Sequence, residues 1–529
     1  MKDNKAIIAQ ERLKVICGVS IYSLISFEFS IKPNINAEAK IKVLLSDVEE
    51  TTDNILEFLN WKPIKIVETA NDGTENYPPL FASIIINCEI NHEGGSREAN
   101  ILAASGSFQL DIMKKSRSFQ NTEMSYREVI DDLLKSTEKA SFLYFADEKK
   151  LDKPVIQYQE TDFSFAVRIA SHQNTCIYPD IAEPAPRIYY GLRKGEDRGE
   201  LSVNNYQMGM ESYFNKKTSK KDALLFYEIT CGEDYNIGDC VLFNRTKLRV
   251  CTKKGTLEKG LLYFTYILAK EAWTWHSKIY NTLFPGVSIE ATVLKCQQEY
   301  IKLHLAIDPV QDEKEAYFFL WKPNTGNLMY CMPDVGTKVY LNVAGRDEGD
   351  AHAVSCIRLN GNVCQETQSP DKRFLSTEHG KKLGIHPELL EFRGDTKDGT
   401  TSSMSLEDKN GIEFQTNQKL TIHAKEGVRI KGARVRLTTL QEFTVVKKDL
   451  ISPTVMNLNY TIDILGGKGK ITSEGGKLLQ PLTDRKRREE YDITDITEKV
   501  LSSIPQGEDE SEISSILSAS FLSTLYSRK

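Results

Sequence analysis

The stretch 404–437 reads MSLEDKNGIEFQTNQKLTIHAKEGVRIKGARVRL. Its apolar residues alternate with polar ones, the mark of half-buried β-strands. They also return every eight residues: Met404, Ile412, Leu420 and Val428 form one series, and Leu406, Phe414, Ile422 and Ile430 the other. Asn410-Gly411, Gln418-Lys419 and Glu426-Gly427 occupy the turn positions, with glycine where a positive φ costs little. Each octad thus offers two apolar side chains on one thin face, then a corner. One chain cannot close a core from such faces, whereas identical chains wound about a common axis bury them against one another. An antiparallel meander with Asn410-Gly411 as a hairpin turn accounts for the same pattern. On the repeat alone the two readings stand level, and the residues upstream decide between them.

At 529 residues the chain is too long for one core, and three or four domains are expected. A charged content of 27% and a hydrophobic content of 40% are those of an ordinary soluble protein, and 22 Tyr with 22 Phe supply ample mass for packing. The net charge of -6 gives no reason to expect nucleic acid as a partner. There is no apolar run long enough for a transmembrane helix. The most apolar stretch, 13–27, is broken by Gly18, Ser20 and Ser23 and alternates like a strand, so no signal peptide is expected. The ten cysteines are scattered singly without Cys-x-x-Cys, which points to free thiols rather than to a metal site or redox pair. His379 and His386 are the nearest histidine pair and read as solvated loop residues.

Upstream, residues 11–115 are rich in alternating or β-branched segments, among them 22–31, 39–45, 64–68 and 80–90. Then comes Arg117-Ser118-Phe119-Gln120-Asn121, followed by a helix that Thr122 or Ser125 can cap and whose apolar face is Val129, Ile130, Leu133 and Leu134. The segment 154–172, PVIQYQETDFSFAVRIASH, runs from a strand into a second helix. Asp162 or Thr161 is placed to cap it, Phe163 and Phe165 to pack it, and Arg168 to pair with an acid. A catalytic reading of Glu160, Asp162 and His172 exists, but paired carboxylates need a geometry that spacing alone does not supply.

Taken together, RSFQN, the helix with S-Y-x-x-V-I, and Q-Y-Q-E-T-D-F-S-F-x-x-R-I-A-S-H resemble the hub-and-spike proteins of contractile injection machines, the VgrG and phage late-control-D family. The resemblance covers about 20–439, and Arg117, Phe119, Gln120, Gln157, Tyr158, Glu160, Thr161, Asp162, Phe163, Arg168 and His172 fall on its characteristic positions. It implies a mainly β protein. Residues 1–280 would be a hub of two β-barrels with helical insertions, and 281–360 an OB-like barrel. A polar connector would follow over 361–403, then a trimeric β-helical needle and its end over 404–480. It also implies a homotrimer that meets a hexameric inner-tube protein and baseplate proteins, assembles in the cytoplasm, and touches a target envelope only in passing.

Other segments fill in this scheme. The polar residues 195–222 read as loop, and 223–266 return to strands. The barrel segment carries Asp308, Asp312, Glu313, Glu315, Asp347, Glu348 and Asp350 but few arginines, which suits a structural collar rather than an oligonucleotide groove. Residues 481–529 read as a tail of amphipathic helices. It either folds back as a cap or offers Phe521 and Leu525 as a contact for a spike-tip protein or an effector cargo.

No nucleotide-binding, zinc-protease or serine-hydrolase motif occurs, so neither cofactor nor catalysis is expected. The alternatives to a mechanical spike are a spike-borne cell-wall hydrolase, which would turn over peptidoglycan, and a trimeric surface adhesin, which would carry a secretion signal. Phage, bacteriocin-like particle and cell-anchored type VI secretion share this part, and the sequence does not choose among them.

Overall fold

The computed structural model describes residues 7–439 apart from 47–51, 71–73, 76–77, 216–219, 326–330, 358–368, 378 and 397–398, together with the pairs 444–445 and 456–457. The chain divides into two units, Met1–Gln415 and Thr416–Lys529.

The first unit is built on a 13-stranded, largely antiparallel sheet. Its strands obey simple alternation. In Glu38–Leu45 the side chains of Ala39, Ile41, Val43 and Leu45 are buried, and in Leu261–Ala269 those of Leu262, Phe264, Tyr266 and Leu268. The two strand clusters that the sequence sets apart, before and after the helices, are joined edge to edge. Lys253↔Ile31 through Thr256↔Glu28 pair antiparallel, and Ile8-Ala9 pair with Leu262-Leu261. One apolar core runs through both clusters.

Phe29 sits at this seam, 5.2 Å from the rings of both Phe27 and Phe81 and 6.4 Å from that of Phe264. Its strand partner is Gly255, where a Cβ would lie 2.2 Å from the Phe29 ring, so the close approach requires glycine. Residues 195–222, read as loop, contain the strand Tyr206–Asn215, which forms one edge of the large sheet. Its Tyr206, Met208 and Met210 alternate but remain exposed, so burial did not select an apolar stripe strong enough to mark the strand.

The helical middle has its own core. Helix α1 (Thr52–Leu59) belongs to the sheet region before it. Helix α2 (Tyr126–Leu134) starts at Ser125, whose hydroxyl accepts from the Glu128 amide while the Glu128 carboxylate accepts from the Ser125 amide. Val129, Ile130, Leu133 and Leu134 are all buried. Helix α3 (Asp162–His172) is capped by Thr161, whose hydroxyl accepts from the Ser164 amide.

The barrel segment forms five strands in the order Phe318–Leu320, Tyr300–Leu305, Val287–Gln297, Lys338–Val343 and His352–Cys356. A bridge between Trp321 and Ala353, with the Lys322 amide donating to the Ala353 carbonyl at 2.8 Å, closes the two edges on each other. Val293, Leu303, Leu305, Val339 and Leu341 fill the interior.

Beyond it a meander of five antiparallel strands follows: Arg373–Ser376, Lys381–His386, Leu389–Asp395, Thr401–Glu407 and Gly411–Thr416. Three of these lie within 361–403, where a connector was expected. His386 is accordingly a strand residue, its side chain 15% exposed and 3.9 Å from Glu391, and not a solvated loop residue. Asn410-Gly411 is a hairpin turn, with Gly411 at φ +85. The first octad therefore takes the meander form in the lone chain. Over 417–439 no strand is present. The described cysteines are free. The helical tail, with Phe521 and Leu525, lies outside the described residues, as does all of 440–480 except the short pairing of Thr444-Val445 with Asn457-Met456.

Candidate functional site

The motif residues converge where the helical middle meets the barrel. Strands Lys114–Phe119 and Val155–Thr161 pair with Gln157↔Arg117 and Glu160↔Lys115, and a bulge intervenes between Gln157 and Glu160. Gln159, within it, adopts φ 48. The bulge turns the strand end so that Gln157 and Asp162 point to one place. There the Gln157 amide nitrogen donates to Asp162 Oδ1 at 3.0 Å and to the Glu160 carbonyl at 3.0 Å, while its oxygen accepts from Arg117 Nε at 2.7 Å. Arg117 Nη2 donates to Asp162 Oδ1 at 2.6 Å and Lys115 Nζ to Oδ2 at 2.5 Å. Asp162, 2% exposed, thereby ties the strand pair to the start of α3, where a carboxylate also suits the helix dipole. Phe119 stacks on Phe165 at 5.8 Å, and Phe163 is buried in the same core.

A second cluster spans the junction itself. Arg168 is 2% exposed, and its guanidinium uses every edge. Nε donates to Glu160 Oε1 at 2.9 Å, Nη2 to the Ile156 carbonyl at 2.7 Å and to Glu160 Oε2 at 3.0 Å, and Nη1 to Glu348 Oε1 at 2.5 Å. Glu348 is a barrel residue in the 3₁₀ turn Glu348–Asp350. The cation also lies 5.1 Å from the Phe165 ring and 5.5 Å from that of Phe284. Burial works against its charge, but Glu348 and Glu160 outweigh it and leave its pKa raised. Burial also pushes the Glu160 carboxyl up, against the pull of Arg168. Glu348 Oε2 has no hydrogen-bond partner.

Neighbouring contacts repeat this bridging. Asp308 accepts from the Ser118 amide at 2.6 Å and its hydroxyl at 2.5 Å, and burial pushes its carboxyl up despite those bonds. Gln120 donates to the Leu303 carbonyl at 3.1 Å and accepts from the Tyr317 amide at 3.2 Å. The Tyr158 carbonyl accepts from Asn281 at 2.8 Å, and its ring stacks on Phe284 at 6.0 Å. Lys278–Asp347 at 2.6 Å and Lys153–Asp350 at 2.8 Å close the rim.

His172 stands apart from both carboxylates. Its Nε2 has no hydrogen-bond partner, the Tyr126 ring meets it edge-on at 6.3 Å, and burial, followed by the charges of Lys278 and Arg168, pushes its pKa down to about 3. Glu160 and Asp162 are each committed to cations, and no hydrogen bond joins either to His172. The three do not form a catalytic constellation. The arrangement is a clamp that fixes α3 and the bulged strand to the barrel. Sequence reasoning missed the barrel side of it. Asp308 and Glu348 stood out only as two among many acids, and Asn281 and Phe284 carried no pattern.

The second group of candidate residues behaves differently. Directly paired residues put Leu375, Leu383, Phe392 and Met404 in one row of the meander and Ile385, Leu390 and Leu406 in the next, on the same face. The opposite face carries Lys382, Glu391 and Ser405. None of these apolar side chains is buried, and Leu375, Ile385 and Phe392 are about half exposed. Met404 and Leu406 are half-buried, while Ile412, Phe414, Leu420, Ile422, Val428 and Ile430 are exposed by 56–70%. Among the described residues nothing covers this apolar face, and further along the chain the octads carry more exposed apolar side chains.

No protein-family model matches the sequence, and no curated protein matches it. Solved structures do. A chain of the Francisella PdpA–VgrG complex in its half-lidded form aligns with 75% of this chain and 84% of its own, at TM-score 0.51 and 10% identity. The lidless form of that complex gives the same score and identity, with 94% of its own chain covered. The E. coli c3393 protein, a component of the type VI secretion system described as similar to the T4 tail proteins gp27 and gp5, covers 65% of this chain and 99% of its own at TM-score 0.44 and 12% identity. At such identities the likeness to the Francisella complex is one of fold. The chain shares the fold of a chain of the PdpA–VgrG complex, in line with the resemblance carried by the motif residues of 117–172.

Proposed function

We propose that this chain is the hub and needle of a contractile injection apparatus and works as a homotrimer. The observation that carries the reading is the bare apolar face of the meander and its continuation through the octads. Burying an apolar side chain of this size contributes about 1.5–3 kcal/mol, and each octad offers two per chain. Three copies meeting on these faces bury them together, and the later octads gain strand edges from their neighbours. The fold likeness and the 117–172 motif point the same way.

In this reading the hub caps a hexameric inner tube and sits among baseplate proteins. The apparatus is assembled in the cytoplasm and thrust outward on contraction, so that the needle breaches the target envelope. The protein performs no chemistry; it transmits force, and interchain β-pairing suits that because the bonds along the needle must fail together. The tail, through Phe521 and Leu525, is the proposed contact for a tip protein or an effector. The mass of the purified full chain in solution tests the reading: a trimer that persists through a dilution series is expected, and a stable, folded monomer overturns it.

A further inference from the structure

The segment that follows the meander differs from the rest of the chain in charge. Residues 419–436 hold Lys419, Lys425, Arg429, Lys431, Arg434 and Arg436 against the single carboxylate Glu426. That is an excess of +5 in a chain of net charge -6, so the remaining residues sum to -11. Surface cations of the first unit commonly meet acids, as in Lys42–Glu98 at 2.6 Å and Lys254–Glu28 at 2.8 Å. All six cations of 419–436 are exposed, and none makes an ion pair with a described residue. Their placement is ordered as well. Lys419, Lys425, Arg429 and Lys431 are odd-numbered and Leu420, Ile422, Val428 and Ile430 even-numbered, so in an extended chain these four cations share the face opposite those apolar side chains, while Arg434 and Arg436 follow Gly432 on either side of Val435.

We infer that this segment is a band that binds the phosphate headgroups of an anionic lipid bilayer. The inference rests on the trimeric needle only for which face is covered: once the apolar side is buried among copies, Lys419, Lys425, Arg429 and Lys431 of every copy face outward, with Glu426 the one carboxylate of the segment. A short cationic band in an otherwise acidic protein suits a thin sheet of negative charge, which attracts Lys and Arg within a Debye length of the surface. Nucleic acid is the less fitting polyanion. Residues 416–439 contain no Phe, Tyr or Trp on which a base could stack, and the acidic remainder of the chain repels a long strand.

Flotation of the full chain with vesicles tests this. With about a quarter phosphatidylglycerol in phosphatidylcholine the protein floats, with phosphatidylcholine alone it does not, and added salt releases it. The triple variant Lys425→Gln/Arg429→Gln/Lys431→Gln weakens binding by about a hundredfold, at about fivefold per charge. The variant Lys135→Gln/Lys139→Gln/Lys150→Gln, exposed in the first unit, changes nothing. Equal flotation with both lipids, indifference to the first triple variant, or tighter binding to duplex DNA at the same salt overturns the inference. The mass of each preparation separates the two proposals. A trimer that ignores anionic vesicles sinks the lipid band and leaves the needle. A monomer that binds through these cations sinks the needle and leaves the band.

Discussion

Arg168 shows how much one side chain holds at the junction. Two carboxylates, a carbonyl and two aromatic rings surround it, and each was taken out of water on the condition that the cation is there. Arg168→Ala is expected to cost about 3–5 kcal/mol, because Glu348 is left buried and uncompensated. Adding Glu348→Gln to that variant recovers part of the loss, and urea unfolding of the single and double variants reads both effects. His172 makes the opposite case, a group kept neutral by burial. Its pKa of about 3 lies below the value of about 6.5 for an unfolded histidine, so between these limits the unfolded chain binds the additional proton. Stability from this residue is full above about pH 6.5 and falls as the pH drops toward 3, by up to about 1.4 kcal/mol per pH unit. The raised carboxyls of Glu160 and Asp308 act the other way, taking up protons more readily folded than unfolded. The difference between the wild-type and His172→Gln profiles, read as urea midpoints from pH 7 to 4.5, isolates the histidine. A variant whose stability falls as steeply as the wild type contradicts the assignment.

At the level of elements, the octads make the sharpest claim. Ile422 and Thr421 are neighbours of opposite parity. In a needle, Ile422→Asp sets one carboxylate from each copy on a dry axis, at a cost of several kcal/mol, while Thr421→Asp faces water. Loss of heat and detergent resistance in the first variant alone is the expected outcome, and equal resistance means the register is wrong. How well such elements could be read from sequence depended on burial. Strands such as Leu261–Ala269, with one wet and one dry side, announce themselves, and so do the cap and apolar face of α2. Tyr206–Asn215 did not, because on this edge strand Tyr206, Met208 and Met210 stay exposed and form no stripe that burial has sharpened. The three early strands of the meander were missed for a related reason: each has an uncovered apolar side, so its pattern reads as a polar connector. In the clamp, the motif half was legible as residue types, but Arg168–Glu348 joins positions 180 residues apart, and nothing local encodes that distance.

The whole molecule ties its stability to assembly if the bare meander face is covered only by other copies. The melting temperature then rises with protein concentration, as linkage requires. A chain truncated after residue 357, before the first meander strand, is expected to melt independently of concentration, and calorimetry over a dilution series on both forms decides the point. The seam at Phe29 and Gly255 has a consequence of another kind, in time rather than in energy. The edge of Ile21–Ile31 finds its partner only in Thr246–Glu258, and Ile8-Ala9 find theirs only at Leu261-Leu262. At a synthesis rate of about 5–20 residues per second, the first strands emerge and wait about ten to fifty seconds for the segment that covers them. Through that interval the nascent chain presents an open edge and an unfinished apolar core, so a ribosome stalled before residue 246 holds a sticky fragment, and one that passes residue 269 has supplied the strands that close it.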